Sequence, residues 1–189
     1  MPPKIKVTKQ KIIDAALNAV RKEGEAGLNA RTLASMLECS TQPVFSNFAS
    51  MEDLKEAITT AAYDEYLSFL RKEAESEKYP LYKSFGMAYI RFAKEEKELF
   101  KFLFMRDRSG KDLPTSPDFN ASVEIIMKTN GISKEQAELM HLELWAFVHG
   151  IATMHATSFL TLEWDFISHI LSDAYYGIRG RMLSEEKEK

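Results

Sequence analysis

The chain has 189 residues, 45% of them hydrophobic and 28% charged, with a formal net charge of −3. That composition is ordinary for a globular protein and excludes a disordered or collagen-like chain. The longest apolar runs, such as 145–148, fall far short of the ~20 residues a membrane span needs.

The first ten residues, MPPKIKVTKQ, place no apolar stretch after their lysines, so a signal peptide is not expected. One cysteine, Cys39, leaves no internal disulfide to form. A reducing, cytoplasmic setting is the simplest expectation. Charge is spread unevenly. Residues 1–48 hold seven Lys/Arg against four Asp/Glu, a net of +3, and the remainder carries −6. A basic end on an acidic body suits a head that binds a polyanion.

The first predicted helix runs from about Thr8, its cap, to Lys22. Ile12, Ala15, Ala16, Ala19 and Val20 fall three and four apart, so one face is apolar. Gly24 and Gly27 punctuate its end. A short second helix is capped by Asn29, whose side-chain oxygen can accept the N–H of Arg31 or Thr32. Glu38, Cys39 and Ser40 form a turn. A third short helix covers about Thr41 to Phe48, with Pro43 tolerated in its first turn. Ser50 caps a long fourth helix that stops near Glu77, before Tyr79-Pro80. Two short helices joined by a tight turn and steadied by a first helix describe a helix-turn-helix unit.

Further helices are predicted over 81–94, 97–105 and 118–129, with a loop from Arg106 to Pro117. Ser133 and Gln136 form a capping-box pattern opening a helix to about Leu160, and a last helix spans 163–182. The fold class is therefore all-α. A three-helix head, 1–49, stands on a larger helical body, 50–189, in about nine helices.

The stretch Lys11–Ile58, with LNARTLASMLECSTQPVFSNFASMEDLKEAI, resembles the DNA-binding domain of TetR-family transcriptional regulators. The helix order of the remainder is similar to that family's architecture. The segment LWAFVHG, 144–150, resembles the tryptophan-histidine-glycine motif in the effector domain of one TetR branch. The resemblance implies a homodimeric repressor that leaves double-stranded DNA when a small, mostly apolar molecule enters its body. It implies no cofactor and no membrane partner. Four positions depart from the family pattern: the turn glycine is Cys39, the recognition-helix tyrosine is Phe45, its histidine is Asn47, and the lysine opening the fourth helix is Met51. Phe45 and Met51 cannot bind phosphate as their counterparts do, which shifts those contacts to Lys4, Lys6, Lys9, Arg31 and Asn47.

Residues at the start of a recognition helix enter the major groove. Gln42 can pair bidentately with adenine, Thr41 can give a hydroxyl contact or meet a thymine methyl, and Pro43 can pack near such a methyl. Ser46 and Asn47 lie one turn on. Phe45 and Phe48 read as core, although Phe45 also lies on the reading helix. For dimerisation, Gly150, Thr153 and Thr157, with Ala146, form a small-residue stripe. Ile170 and Ala174, with Ile167, Leu171 and Ile178, form a second, and two helices per subunit would make a four-helix interface. Tyr89, Phe104, Met127, Trp145 and His149 are the candidate effector contacts. Trp145 and His149 are four apart and share a face. An indole N–H and an imidazole can orient an apolar ligand; equally, His149 can serve as a buried bond of the bundle.

Other classes fit less well. His141 and His155 lie ~21 Å apart along one helix, and with His149 and Glu143 they lack the spacing of helix-borne metal ligands. No phosphate-binding glycine loop is present. A DNA-binding dimer controlled by a protein partner, or without a small-molecule ligand, stays open as the alternative.

Overall fold

The computed structural model describes residues 7–107 and 117–185. Lys4, Lys6 and most of the predicted 106–117 loop lie outside them. Among the described residues there are nine α-helices and one 3-10 turn, and no strand. The helices are α1 (Lys9–Glu23), α2 (Ala30–Met36), α3 (Gln42–Asn47), α4 (Met51–Glu75), α5 (Leu81–Glu95), α6 (Lys97–Phe104), α7 (Pro117–Asn130), α8 (Lys134–Ala156) and α9 (Trp164–Glu185). None is long and apolar enough to cross a membrane.

Local chemistry sets the helix starts. Thr8, Asn29, Ser50 and Ser133 each accept a backbone N–H from the first turn of the helix that follows. At Ser133 the box closes, since the Gln136 side chain takes the Ser133 N–H at 2.9 Å. Each such cap satisfies a donor that has no intrahelical partner.

Helix ends depend on backbone conformation. At Gly24 the chain turns with φ +64°, and a Cβ on Gly27 would lie 2.8 Å from the Ala19 carbonyl oxygen. Helices α2 and α8 end instead on non-glycine residues, Glu38 (φ 50°) and Ser158 (φ 57°). Both close in the same way. Cys39 N–H bonds Ala34 and Glu38 N–H bonds Ser35; Phe159 N–H bonds Met154 and Ser158 N–H bonds His155. These are Schellman pairs, which usually carry glycine at the left-handed position. Helix α8 is therefore shorter than its sequence pattern predicts: it stops at Ala156, four residues before Leu160.

The chain divides into two compact units, one bounded as Met1–Leu67 with Glu95–Arg106 and the other as Ser68–Lys94 with Asp107–Lys189. In the first, α1 packs on α2, α3 and α6. Ile12, Val20, Leu33, Val44, Phe48, Leu54, Ile58, Leu99 and Phe100 are among its buried residues. Arg21 ties three of its helices together. Its guanidinium pairs with Glu65 of α4 and, at 2.8 Å, with Glu96 ahead of α6. Burial raises the Glu65 carboxyl despite that charge. In the second unit, α7, α8 and α9 surround a core of Val123, Ile126, Ile132, Ala137, Met140, Leu144 and Met182. Ile167 and Leu171, expected on an outward stripe, are buried within this unit. The Leu171 Cδ2 atom lies 3.1 Å from where a Cβ on Gly86 would stand. Helix α4 is shared, with its first seventeen residues in one unit and Ser68–Glu75 in the other.

Candidate functional site

Helix α3 has six residues, of which Val44 faces the core, with Phe48 buried just beyond its end. Those two are four apart and define the inner face. Phe45, one residue on from Val44, is turned outward and is 55% exposed. This corrects the core expectation for Phe45 and bears it out for Phe48. Gln42, Phe45 and Ser46 are exposed, and Thr41, Pro43 and Asn47 are half-buried. The Ser46 hydroxyl donates to the Gln42 carbonyl at 2.9 Å, and Asn47 Nδ2 donates to the Pro43 carbonyl at 2.8 Å. Gln42 has no side-chain partner among the described residues.

One cation reaches the end of this helix. The Lys9 ammonium sits 4.9 Å from the Phe48 ring centroid, which carries it to the end of α3. Arg31 is exposed in the first turn of α2. Arg21, counted among the basic residues of the head, is bound to Glu65 and Glu96 and holds the unit together.

In the second unit, α5 and α8 meet through two tyrosine–histidine bonds. Tyr82 Oη lies 2.9 Å from His141 Nδ1, and Tyr89 Oη lies 2.9 Å from His149 Nδ1. Trp145 stacks on His149 with centroids 5.0 Å apart and hydrogen-bonds Tyr89. An indole can only donate. The Tyr89 oxygen therefore accepts from Trp145, and its own proton stays available to His149. Phe119 packs edge-on against His141, centroids 4.8 Å apart. Burial drives the titrations. It raises both phenols above their usual range, lowers His149, and holds His141 at about 4 even though Asp118 pulls the other way. The cluster is polar and uncharged at neutral pH.

Of the five residues predicted to contact an effector, Tyr89, Trp145 and His149 come together. Met127 packs against the core of the same unit. Phe104 belongs to the unit that contains α1, where it meets Tyr66 and Phe100 at 5.2 and 5.3 Å. Sequence reasoning missed Tyr82 and His141. Their signal was spacing: Tyr82 and Tyr89 are seven apart on α5, so they share a face. The other α8 groups with metal-ligand chemistry have separate partners. The His155 Nε2 atom accepts the Leu162 N–H, and Glu143 takes Arg181 at 2.6 and 2.8 Å. No cluster able to hold a metal ion occurs among the described residues.

On the outer side of α8 and α9, Gly150 and Thr157 are exposed, and Thr153 and Ile170 are half-buried. A Cβ at Gly150, Gly177 or Gly180 would meet nothing within 4 Å. Phe147 and Phe166 are 40% and 51% exposed. Ala174 packs inward, against the core of α7 and α8.

Helices α2 and α3, joined by the turn at Glu38 and packed on α1, form a helix-turn-helix arrangement. Residues 82–168 match the family described as Tetracyclin repressor-like, C-terminal domain. The chain is 26% identical over 157 residues to an uncharacterized HTH-type transcriptional regulator of Mycobacterium tuberculosis, covering 80% of this chain and 72% of that one. Among solved structures, it is similar to a TetR-family member from Streptomyces coelicolor A3, with a TM-score of 0.65, 19% identity, and 88% and 96% of the two chains covered. It is also similar to the multidrug binding protein EbrR complexed with imidazole, with a TM-score of 0.62, 18% identity and 88% of each chain covered. The fold is that of the TetR neighbours, and the matches support a TetR-family regulator.

Proposed function

We propose that the chain is a homodimeric, ligand-responsive transcriptional repressor of the tryptophan-histidine-glycine branch, whose 1–49 head binds a near-palindromic operator. The observation that carries this reading is the accessible face of α3, which bears no charge, with the Lys9 ammonium at the end of that helix. Lys9, Arg31 and Asn47 contact phosphates, while Thr41, Gln42, Pro43, Phe45 and Ser46 face the bases. The outward residues of α8 and α9, among them Gly150, Thr153, Thr157 and Ile170, pair the subunits, with Ala174 backing them from within. Two heads then read half-sites ~34–36 Å apart.

The effector sits against Tyr89, Trp145 and His149, with Met127 nearby, and is a small, mostly apolar molecule. Neutral imidazoles and phenols orient such a ligand without demanding a charge on it. Two structural neighbours with small molecules, EbrR with imidazole and a TetR variant from Acinetobacter baumannii with minocycline, support a body that admits ligands. One observation favours the second reading, a DNA-binding dimer without a small-molecule ligand. The tyrosine–histidine pairs satisfy each other, and no described buried side-chain nitrogen or oxygen lacks a partner. Melting with candidate effectors separates the two readings. Saturation at 100 times the dissociation constant should add about 2.7 kcal/mol to a binder.

The test of the DNA reading is selection of bound duplexes from random DNA at two salt concentrations. A two-fold-related motif is expected; enrichment of no motif would sink the proposal. On the selected duplex, Lys9→Ala should weaken every sequence alike. The slope of log K against log salt should shrink by roughly 0.9 for each phosphate that is no longer neutralised, about 1.8 for a dimer.

A further inference from the structure

We infer that the bases read by α3 are A·T pairs, recognised through thymine methyl groups and one adenine; this rests on the DNA-binding reading above and names its substrate class. The first ground is what α3 lacks. From Thr41 to Phe48 there is no Lys, Arg, Asp or Glu. Guanine is most often read by a bidentate cation on O6 and N7, and cytosine by a carboxylate that accepts from N4. Neither reader is present on this helix.

The second ground is which polar groups remain available. The Ser46 hydroxyl is already a donor to the Gln42 carbonyl, so toward a base it can only accept. Asn47 is anchored through Nδ2 to the Pro43 carbonyl and is half-buried. Of the amides, exposed Gln42 makes no side-chain bond within the described residues, so its donor and acceptor can face a base edge side by side, which the single hydroxyl oxygen of Thr41 cannot do. That pair matches adenine, which offers the N7 acceptor and N6 donor side by side.

The third ground is the outward ring of Phe45. At 55% exposure it is an apolar surface on a face otherwise suited to a wet groove. With Pro43 and the Thr41 methyl, it gives three apolar contacts. The thymine C5-methyl is the apolar group that the major groove displays. The ring that cannot donate to phosphate becomes a sequence reader.

The test uses the full-length protein on duplexes selected from random DNA. The selected half-site should show A·T pairs at the positions facing α3. Replacing each of those thymines by uracil, which removes only the methyl, should weaken the wild type about fourfold per methyl buried. In Phe45→Ala that thymine-over-uracil preference should vanish at one position while overall folding, read by melting, is unchanged. Gln42→Ala should lose about tenfold discrimination at one adenine. G·C pairs at the facing positions, or indifference of the wild type to uracil, would overturn the inference and leave the dimeric DNA reader standing. Failure to enrich any motif would overturn both.

Discussion

Between about pH 7 and about pH 4, the unit containing His141 should lose about 3 kcal/mol of stability, and His141→Gln should lose much less. In the folded chain His141 is held at about 4, chiefly by burial; in the unfolded chain it titrates near ~6.5. Below ~6.5 the unfolded state binds a proton that the folded state refuses, so stability falls with pH until the folded histidine also titrates. Structure explains the refusal. The Nδ1 atom lies 2.9 Å from the Tyr82 phenol, which burial keeps protonated. Protonated imidazole is a donor at both nitrogens, so the phenol could only accept from it, and the added charge would still lie buried. His149 is lowered in the same direction, which adds to the slope. Glutamine keeps an acceptor for Tyr82 without titrating. Urea unfolding followed by tryptophan fluorescence reads the right unit, because Trp145 and Trp164 both lie in it. Equal pH slopes for wild type and His141→Gln would refute the assignment.

The parts of the fold that were legible in the sequence are those set by neighbours in the chain. Thr8, Asn29, Ser50 and Ser133 are side chains whose oxygen reaches two or three residues on, and each cap stands where its residue type placed it. The ends at Glu38 and Ser158 were harder to read, because a left-handed residue without glycine leaves no mark. The site divides the same way. Trp145 and His149 share a helix face, so their stacking followed from spacing. Their bonds to Tyr89 cross from α8 to α5, more than fifty residues away, and periodicity carries no such pairing. Phe104 has the same composition signal as the body aromatics, yet it packs with Tyr66 and Phe100 in the other unit. Phe45 was decipherable in retrospect: Val44 and Phe48, four apart, already define the buried face, and Phe45 lies about 100° around from Val44.

Truncating Phe92 to alanine should cost about 4 kcal/mol, in the range for a buried phenylalanine. Its ring is fully buried and meets Phe69 edge-on with centroids 5.2 Å apart. Native stabilities are about 5–15 kcal/mol, so that variant keeps little reserve, and Phe92→Leu is the form on which to measure function. The functional consequence follows from what Phe69 belongs to. It lies on the second part of α4, within Ser68–Glu75, which is also tied to α5 by Glu73 and Arg91 at 3.0 Å. Helix α5 carries Tyr82 and Tyr89, and α4 continues into the head's unit. A ligand acts on DNA binding only by favouring one arrangement over another. If α4 is the lever, the Phe69–Phe92 contact transmits that preference. Phe92→Leu should then leave operator affinity without effector nearly unchanged and cut the effector-induced weakening severalfold, from the roughly 5–150-fold typical of such coupling. Electron–electron distance measurements between spin labels on the two heads should show a smaller effector-induced change in the variant. An unaltered release factor together with an unaltered distance change would remove Phe92, and with it the α4 lever, from the mechanism.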